Sequence, residues 1–240
     1  MSEPPLTVYS LPPVWGTPSP SPFVIKLLTW FRMAGVPHEL AILTRPPRSA
    51  TGKIPYVVLP DGRMLHDSSL IIEAIGRERG IDLDRGLDAG LAATGHAIRR
   101  MLEEHTYWAG VYDRWITPAG FAHTRVDYFS HAPAPVRLVF PWVIRRRMRR
   151  SLHDQGLGRH PPAVIAAAAA ADLAALAGVL ADREFVLGPV SGVDATATAF
   201  LWAFSANPFP SSVGDAMATH PNLAAYLARM KSRYWPDGSI

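Results

Sequence analysis

The spacing of hydrophobic residues changes character once along this chain, and that change limits the fold more than any single motif. Over the first third, short β-prone runs alternate with helical ones; from about Leu87 onward no convincing strand follows. Leu6 to Leu11 is a β-rich run halted by Pro12-Pro13, and a Pro- and Ser-rich loop runs from Trp15 to Ser21. Pro22 to Ala34 reads as a helix, because Phe23, Val24, Ile25, Leu27, Leu28, Trp30, Phe31 and Met33 cover most of its surface. Lys26, Thr29 and Arg32 recur every three positions and predict one narrow stripe open to water. Ser21 suits the N-cap and Pro22 the first helical position, while Gly35 and Pro37 end the helix.

Glu39 to Leu43 is a candidate second strand. Tyr56 to Leu59 and Arg63 to His66 flank Pro60-Asp61-Gly62, a strong hairpin signal. Asp67 or Ser68 then caps a helix whose expected core face is Leu70, Ile71, Ala74 and Ile75, ending at Gly80. A right-handed β-α-β unit followed by a hairpin and a helix gives one four-stranded sheet with helices on it, a thioredoxin-like layout. Its expected extent is residues 1–82, with an all-helical bundle over 87–240. In that bundle Leu91 to Trp115 is one long helical pattern, with Ile98, Met101, Leu102, His105, Trp108, Ala109 and Tyr112 on its apolar face. Pro-rich breaks at Pro118 and Ala132–Pro135 precede a helix through Arg150, and Pro162–Leu180, Val193–Phe204 and Pro221–Lys231 supply three more.

Composition narrows the chemistry. There is no cysteine, which removes disulfides, thiolate metal sites and any nucleophilic thiol of the protein's own. The nine histidines show no pairing with Glu or a second His on one helix face, so no metal site is expected. The alanine-rich run Ala163–Ala181 is long enough to raise a membrane span, but Asp172 sits in its middle at a cost of about 3 kcal/mol in lipid. The start lacks the basic and apolar regions of a secretory signal, so a cytoplasmic location is the expectation. The net charge of +4 is concentrated in Arg145, Arg146, Arg147, Arg149 and Arg150. That block suits an anionic membrane or an acidic ligand, or it is a solvated helix end favoured by the dipole. Without an interleaved aromatic platform or a nucleic-acid motif, no nucleic-acid partner is expected and the solvated end is the simpler reading.

Three short constellations carry the candidate chemistry, each with a plain structural reading beside it. Ser21-Pro22-Phe23-Val24 places a hydroxyl where free N–H groups and the helix dipole favour an anion, or Ser21 is an ordinary N-cap. Gly52-Lys53-Ile54-Pro55-Tyr56 suggests a cis bond that turns the Ile54 backbone outward to pair with a peptide, or a trans proline opening an edge strand. Asp67-Ser68 is complementary to an α-amino acid head group, Ser68 holding the carboxylate and Asp67 the ammonium, or the pair is a double capping signal.

In this order, Ser21-Pro22-Phe23-Val24-Ile25-Lys26, then Gly52-Lys53-Ile54-Pro55-Tyr56, then Asp67-Ser68-Ser69-Leu70-Ile71-Ile72-Glu73 resemble the glutathione transferase superfamily. The likeness is greatest to the branch of the failed-axon-connections and metaxin-like proteins, whose first C-terminal helix Arg99–His105 with Tyr107-Trp108 resembles. Ser191-Gly192-Val193-Asp194 resembles the superfamily's capping box in the helical part. The likeness spans about residues 6 to 235. It implies a cis Ile54–Pro55 bond, Ile54 backbone on the cysteinyl part of glutathione, Asp67 and Ser68 on its γ-glutamyl head, and Lys53 near the glycyl carboxylate. It also implies Ser21 beside the sulfur, with glutathione as co-substrate; Val24 stands where the branch often has Cys, so disulfide exchange is excluded.

The expected activity is conjugation of the glutathione thiolate to a small apolar electrophile, held against Trp15, Tyr107, Trp108, Val111 and Tyr112. Those aromatics also read as plain packing residues of a long helix. The rival is a non-catalytic binding module, favoured if the loop Pro12–Pro20 reshapes the thiol site. Homodimerisation is what the resemblance implies, and His66 is a further residue expected to line the glutathione pocket.

Overall fold

A computed structural model describes residues 4–45, 47–130 and 132–236. Four strands form one sheet in the order β2-β1-β3-β4: β1 Leu6–Ser10, β2 His38–Ile42, β3 Tyr56–Val58 and β4 Met64–His66. β1 runs parallel to β2 (Val8 opposite Leu40) and antiparallel to β3 (Val8 opposite Val57), and β3 pairs antiparallel with β4. The parallel pair is bridged by α1, Pro22–Met33, as a right-handed crossover requires. The hairpin turn is where Pro60-Asp61-Gly62 predicts it, with Gly62 at φ +86.

Helix α1 is enclosed on almost every side: by the sheet through Leu6, Val8 and Val57, and by α8, Gly192–Ser205, through residues such as Phe200. One continuous core therefore runs from the sheet into the helical part. The expected wet stripe on α1 does not exist. Lys26 is 2% exposed and Thr29 is fully buried. Thr29 accepts from Trp235 Nε1 at 3.3 Å, and Arg32 lies over the Trp235 ring at 4.0 Å, so the chain's C-terminal helix covers this side. Helix α2, Ser68–Arg79, buries Ile71 and Ile75 as expected, but Leu70 is 61% exposed. One residue is 100° of helical rotation, which carries Leu70 past the edge of the face the sheet covers.

The long helix after the sheet is continuous but irregular: α3, Ala89–Met101, passes through a π segment, Leu102–Thr106, into α4, Tyr107–Trp115. Pro118 begins a helix where a break was expected: α5, Pro118–Asp127, has Pro in its first turn and Thr117 Oγ1 accepting from Gly120 N at 3.1 Å. α6, Ala134–Gln155, and α7, Pro162–Leu180, follow. α7 is long and apolar enough to cross a membrane by length and composition, yet here Ile165, Leu173, Leu176 and Leu180 are core residues. Its Asp172 accepts from Thr106 Oγ1 at 2.7 Å and pairs with His105 Nδ1 at 2.8 Å, so His105 sits half exposed at the rim of the core. α8 opens with Asp194 accepting from Ser191 N at 2.9 Å, Val186 N at 2.9 Å and Tyr226 Oη at 2.9 Å.

A short helix absent from the sequence reading, α9 Ser212–Ala218, precedes α10, Pro221–Tyr234. Asp113 of α4 accepts from both Ser212 N (2.8 Å) and Ser212 Oγ (2.7 Å), and burial pushes its carboxyl up to about 6.

Candidate active site

The loop ahead of α1 is shaped by short-range bonds. Val14 and Thr17 exchange main-chain hydrogen bonds (3.1 and 2.8 Å) across Trp15 (φ +50) and Gly16 (φ +69), a tight turn with both central residues left-handed. A tryptophan in that region is held against its preference. Its indole Nε1 donates to Asp127 Oδ2 at 2.7 Å, and its ring packs on Tyr128 (5.2 Å) and edge-on to Phe209 (5.5 Å). Ser10 Oγ donates to Ser19 Oγ at 2.9 Å, and Ser19 Oγ in turn accepts from Ser21 N at 3.2 Å. Arg114 of α4, 4% exposed, donates Nη1 to Pro20 O (2.7 Å), Nη2 to Ala203 O and Nε to Asn207 Oδ1 (3.0 Å). Trp202 Nε1 adds a bond to Gly16 O at 3.1 Å. The helical part thus fixes the position from which Ser21 starts α1.

Ser21 occupies the N-cap position, with extended backbone at φ −94 and ψ 117, but its side chain makes no cap hydrogen bond. Its hydroxyl has no partner among the described residues, so the plain capping reading loses its support. The Ile54–Pro55 peptide is cis. Ser49 Oγ supports the turn before it, accepting from Lys53 N at 3.0 Å and donating to Lys53 O at 2.6 Å. Lys53 is exposed and its ammonium forms no ion pair with described residues.

Asp67 divides its functions. At φ +70 it caps α2, with Oδ1 accepting from Ser69 N at 2.9 Å and Leu70 N at 3.4 Å. Ser68 is buried at the first helical position, and its hydroxyl has no partner among the described residues. His66 Nδ1, on the strand leading into this corner, is buried and likewise unpaired. Unpaired buried polar atoms are uncommon in folded proteins, and His66 Nδ1 beside the open Ser68 hydroxyl suits a polar ligand.

The sequence reading missed the strongest charge near this corner. Lys26 Nζ donates to Glu103 Oε1 at 2.5 Å and Ser69 Oγ at 2.8 Å, joining α1, the π segment and α2. Burial lowers the Lys26 pKa, and Glu103 opposes that shift. Glu103, buried itself, also accepts from Arg100. A lysine flanked by Phe23, Val24, Ile25, Leu27 and Leu28 was the available signal, since a buried lysine needs a partner.

The expected electrophile residues fall into one aromatic neighbourhood. Tyr107 meets Phe23 edge-on at 5.1 Å, directly behind Ser21-Pro22, and contacts Trp108 at 5.2 Å. Val111 is buried with Trp115, Phe121 and Leu152, while Tyr107, Trp108, Tyr112 and Tyr128 pack against that group. Trp15 joins through Tyr128, which sequence reasoning did not single out. The Tyr128 hydroxyl is buried without a partner, and burial pushes its pKa up to about 12.

Comparison with known proteins shows the family to which this fold belongs. A glutathione S-transferase N-terminal domain model matches residues 22–120, and a glutathione S-transferase C-terminal domain model matches 169–230. An isoprene-epoxide glutathione S-transferase from Rhodococcus sp. (strain AD45) is 33% identical over 236 residues, covering 95% of this chain and 99% of that one. The chain belongs to the glutathione S-transferase family. Failed axon connections from Drosophila melanogaster is 27% identical over 92% of this chain, which spans only 56% of that protein. Metaxin-1 from Bos taurus is 26% identical over 92% of this chain and 73% of its own length. Among solved structures, a glutathione transferase from Phanerochaete chrysosporium superposes with a TM-score of 0.67 at 13% identity, covering 97% and 98% of the two chains. One from Methylobacterium radiotolerans, solved with glutathione sulfonate, gives 0.60 at 20% identity, covering 98% and 93%. The transferase fold is therefore shared across most of this chain, including both its sheet and its helices.

Proposed function

We propose that this transferase joins glutathione to a small apolar epoxide. The observation that carries the reading is the free Ser21 hydroxyl at the mouth of α1, close behind which Phe23 and Tyr107 form an apolar wall. The family relationship to an isoprene-epoxide transferase supports the electrophile class. Glutathione would lie with its cysteinyl main chain along Ile54, its γ-glutamyl carboxylate on Ser68, its ammonium toward Asp67 and its glycyl carboxylate toward Lys53. A thiol with a pKa near ~8.5 is mostly protonated at neutral pH, so a hydroxyl donor and a helix N-terminus both promote the thiolate. The thiolate attacks an epoxide carbon, the carbon–oxygen bond breaks, and the resulting alkoxide takes a proton.

Ser21→Ala tests the first half. Losing one hydrogen bond to an anion costs about 1.5–3 kcal/mol, so conjugation near neutral pH falls roughly ten- to hundredfold. The thiolate absorbance of the glutathione complex moves to higher pH in the variant. An unchanged rate and an unchanged titration remove Ser21 from the mechanism.

We assign the proton donor to Tyr128, whose hydroxyl has no protein acceptor, is kept protonated by burial, and sits on a ring packed against Trp15. The tyrosinate recovers its proton when product release admits water. Tyr128→Phe slows turnover of an epoxide but leaves turnover of an aryl halide, which forms no alkoxide, as in the parent. Stability holds or rises, because an unsatisfied buried hydroxyl is removed. Equal slowing with both substrates assigns Tyr128 to packing.

A further inference from the structure

The first half of α6 touches the protein through few side chains, with Trp142 edge-on to Phe121 at 4.8 Å and Phe140 edge-on to Phe129 at 6.2 Å. From Ala134 to Val143 every side chain except Pro141 is exposed. Among them are Val136, Leu138, Val139, Phe140, Trp142 and Val143, with Leu138 73% and Val139 61% exposed. Val126, at the end of α5, is exposed beside them. Single exposed apolar residues are ordinary; a contiguous group of this size on a projecting helical hairpin marks a surface that is covered in use.

The same helix carries the basic block. Pro141 and Leu152 face the protein. On the opposite stripe the helical repeat aligns Val136, Val139 and Val143 first, then Arg146, Arg147 and Arg150. Arg145 is the member of the block that turns inward. It donates to Trp115 O and Ile116 O (both 2.9 Å) and lies 4.1 Å over Phe121, closing the end of α4. Arg146, Arg147, Arg149 and Arg150 remain exposed, Arg150 with Asp154 at 3.7 Å, a solvated contact of little energetic weight. A groove of about 650 Å³ runs between Trp142, Arg146, Arg149, Arg150 and His153. The helix has six arginines against one aspartate, a net +5, while the whole chain carries +4.

We propose that this tip inserts shallowly into an anionic lipid bilayer, the apolar side chains of Val136–Val143 entering below the headgroups, Arg137 reaching back to the phosphates, and Arg146, Arg147, Arg149 and Arg150 seating on them. The dimensions agree. Eight helical residues rise about 12 Å, less than the roughly 15 Å of one leaflet's hydrocarbon. Tryptophan and arginine at the boundary between the two zones match the chemistry of a membrane interface. A second copy of the chain fits less well, because it brings one +5 helix against another with only Asp154 to offset them. Nucleic acid satisfies the arginines but leaves the aliphatic residues in water.

The test uses the full chain and vesicles at physiological ionic strength. The protein co-sediments with phosphatidylglycerol-containing vesicles and stays in solution with pure phosphatidylcholine. Reversing Arg146, Arg147 and Arg150 to glutamate weakens binding by at least about a hundredfold, at roughly 1 kcal/mol for each cation removed. Val139→Glu/Val143→Glu abolishes it with the melting temperature unchanged. A blue shift of tryptophan emission on vesicle addition disappears in Trp142→Phe. Absence of binding to anionic vesicles, or equal binding by the charge-reversed protein, overturns the proposal. A dimer in sedimentation equilibrium that Val139→Glu/Val143→Glu converts to monomer also overturns it, assigning the tip to a second copy.

Discussion

Glu103→Ala lowers stability by about 3–5 kcal/mol, the range for breaking a buried ion pair by removing one partner. The loss is large because Lys26 cannot escape: it is enclosed by α1, α2 and the π segment, and its remaining partner is the Ser69 hydroxyl at 2.8 Å. Arg100, the second cation on Glu103, sits at the surface and reaches water. The variant also acquires a distinctive pH dependence. Burial already lowers the Lys26 pKa, and without Glu103 the main influence raising it is gone. The unfolded chain then binds a proton that the folded one has released, so stability climbs as pH rises toward the ordinary lysine pKa near ~10.4. Urea unfolding at several alkaline pH values measures both effects. A loss below about 1 kcal/mol with no pH slope means that water reaches Lys26. Replacing Lys26 and Glu103 together by methionine and leucine recovers most of the loss, since well-packed apolar pairs commonly substitute for buried ion pairs.

Arg114→Met is expected to cost about 3 kcal/mol and to lower conjugation at least about tenfold. The guanidinium has no carboxylate partner among the described residues. Its burial is offset by Pro20 O, Ala203 O, Asn207 Oδ1 and the faces of Phe204 (4.8 Å) and Trp15 (5.3 Å). Methionine fills the volume but leaves those oxygens dry and unpaired, at about 1–3 kcal/mol each before relaxation. Activity falls because the Pro20 carbonyl is one bond system away from Ser21, and a displacement of about 1 Å can cost a hundredfold. Arg114 is thus a positioning residue. Its role separates from simple destabilisation by assay well below the melting temperature, where the thiolate titration of bound glutathione moves toward that of Ser21→Ala. Full turnover in a merely less stable protein leaves Arg114 with a structural role alone.

Both residues show where sequence reading reaches its limit. Local patterns held well. The Pro60-Asp61-Gly62 turn, the Pro22 start of α1, the Ser191–Asp194 helix opening and the β-rich run of β1 all depend on a few neighbouring residues. The expectations that failed depended on what lies across the chain. Lys26, Thr29 and Arg32 form a polar stripe that reads as wet, yet Trp235 and Glu103 lie far along the chain and cover it. Leu70 reads as core because period counts apolar residues without showing where the sheet ends. Pro118 reads as a break, though proline in a first turn begins helices as readily as it ends them. At the candidate site the residue types Ser21, Ile54-Pro55 and Asp67-Ser68 were legible. That Asp67 spends an oxygen on its own helix, and that Tyr128 and Arg114 complete the surroundings, were not.

The π segment at Leu102–Thr106 has an evolutionary consequence. It inserts one residue into the winding of a helix that must satisfy two clients, the Glu103 carboxylate at its start and the Tyr107–Tyr112 face after it. In an uninterrupted α-helix those two requirements differ in phase by about 100°. Descendants of this chain are therefore free to vary either end by substitution, but a single-codon deletion between Glu103 and Tyr107 would force a choice between the anchor and the aromatic wall.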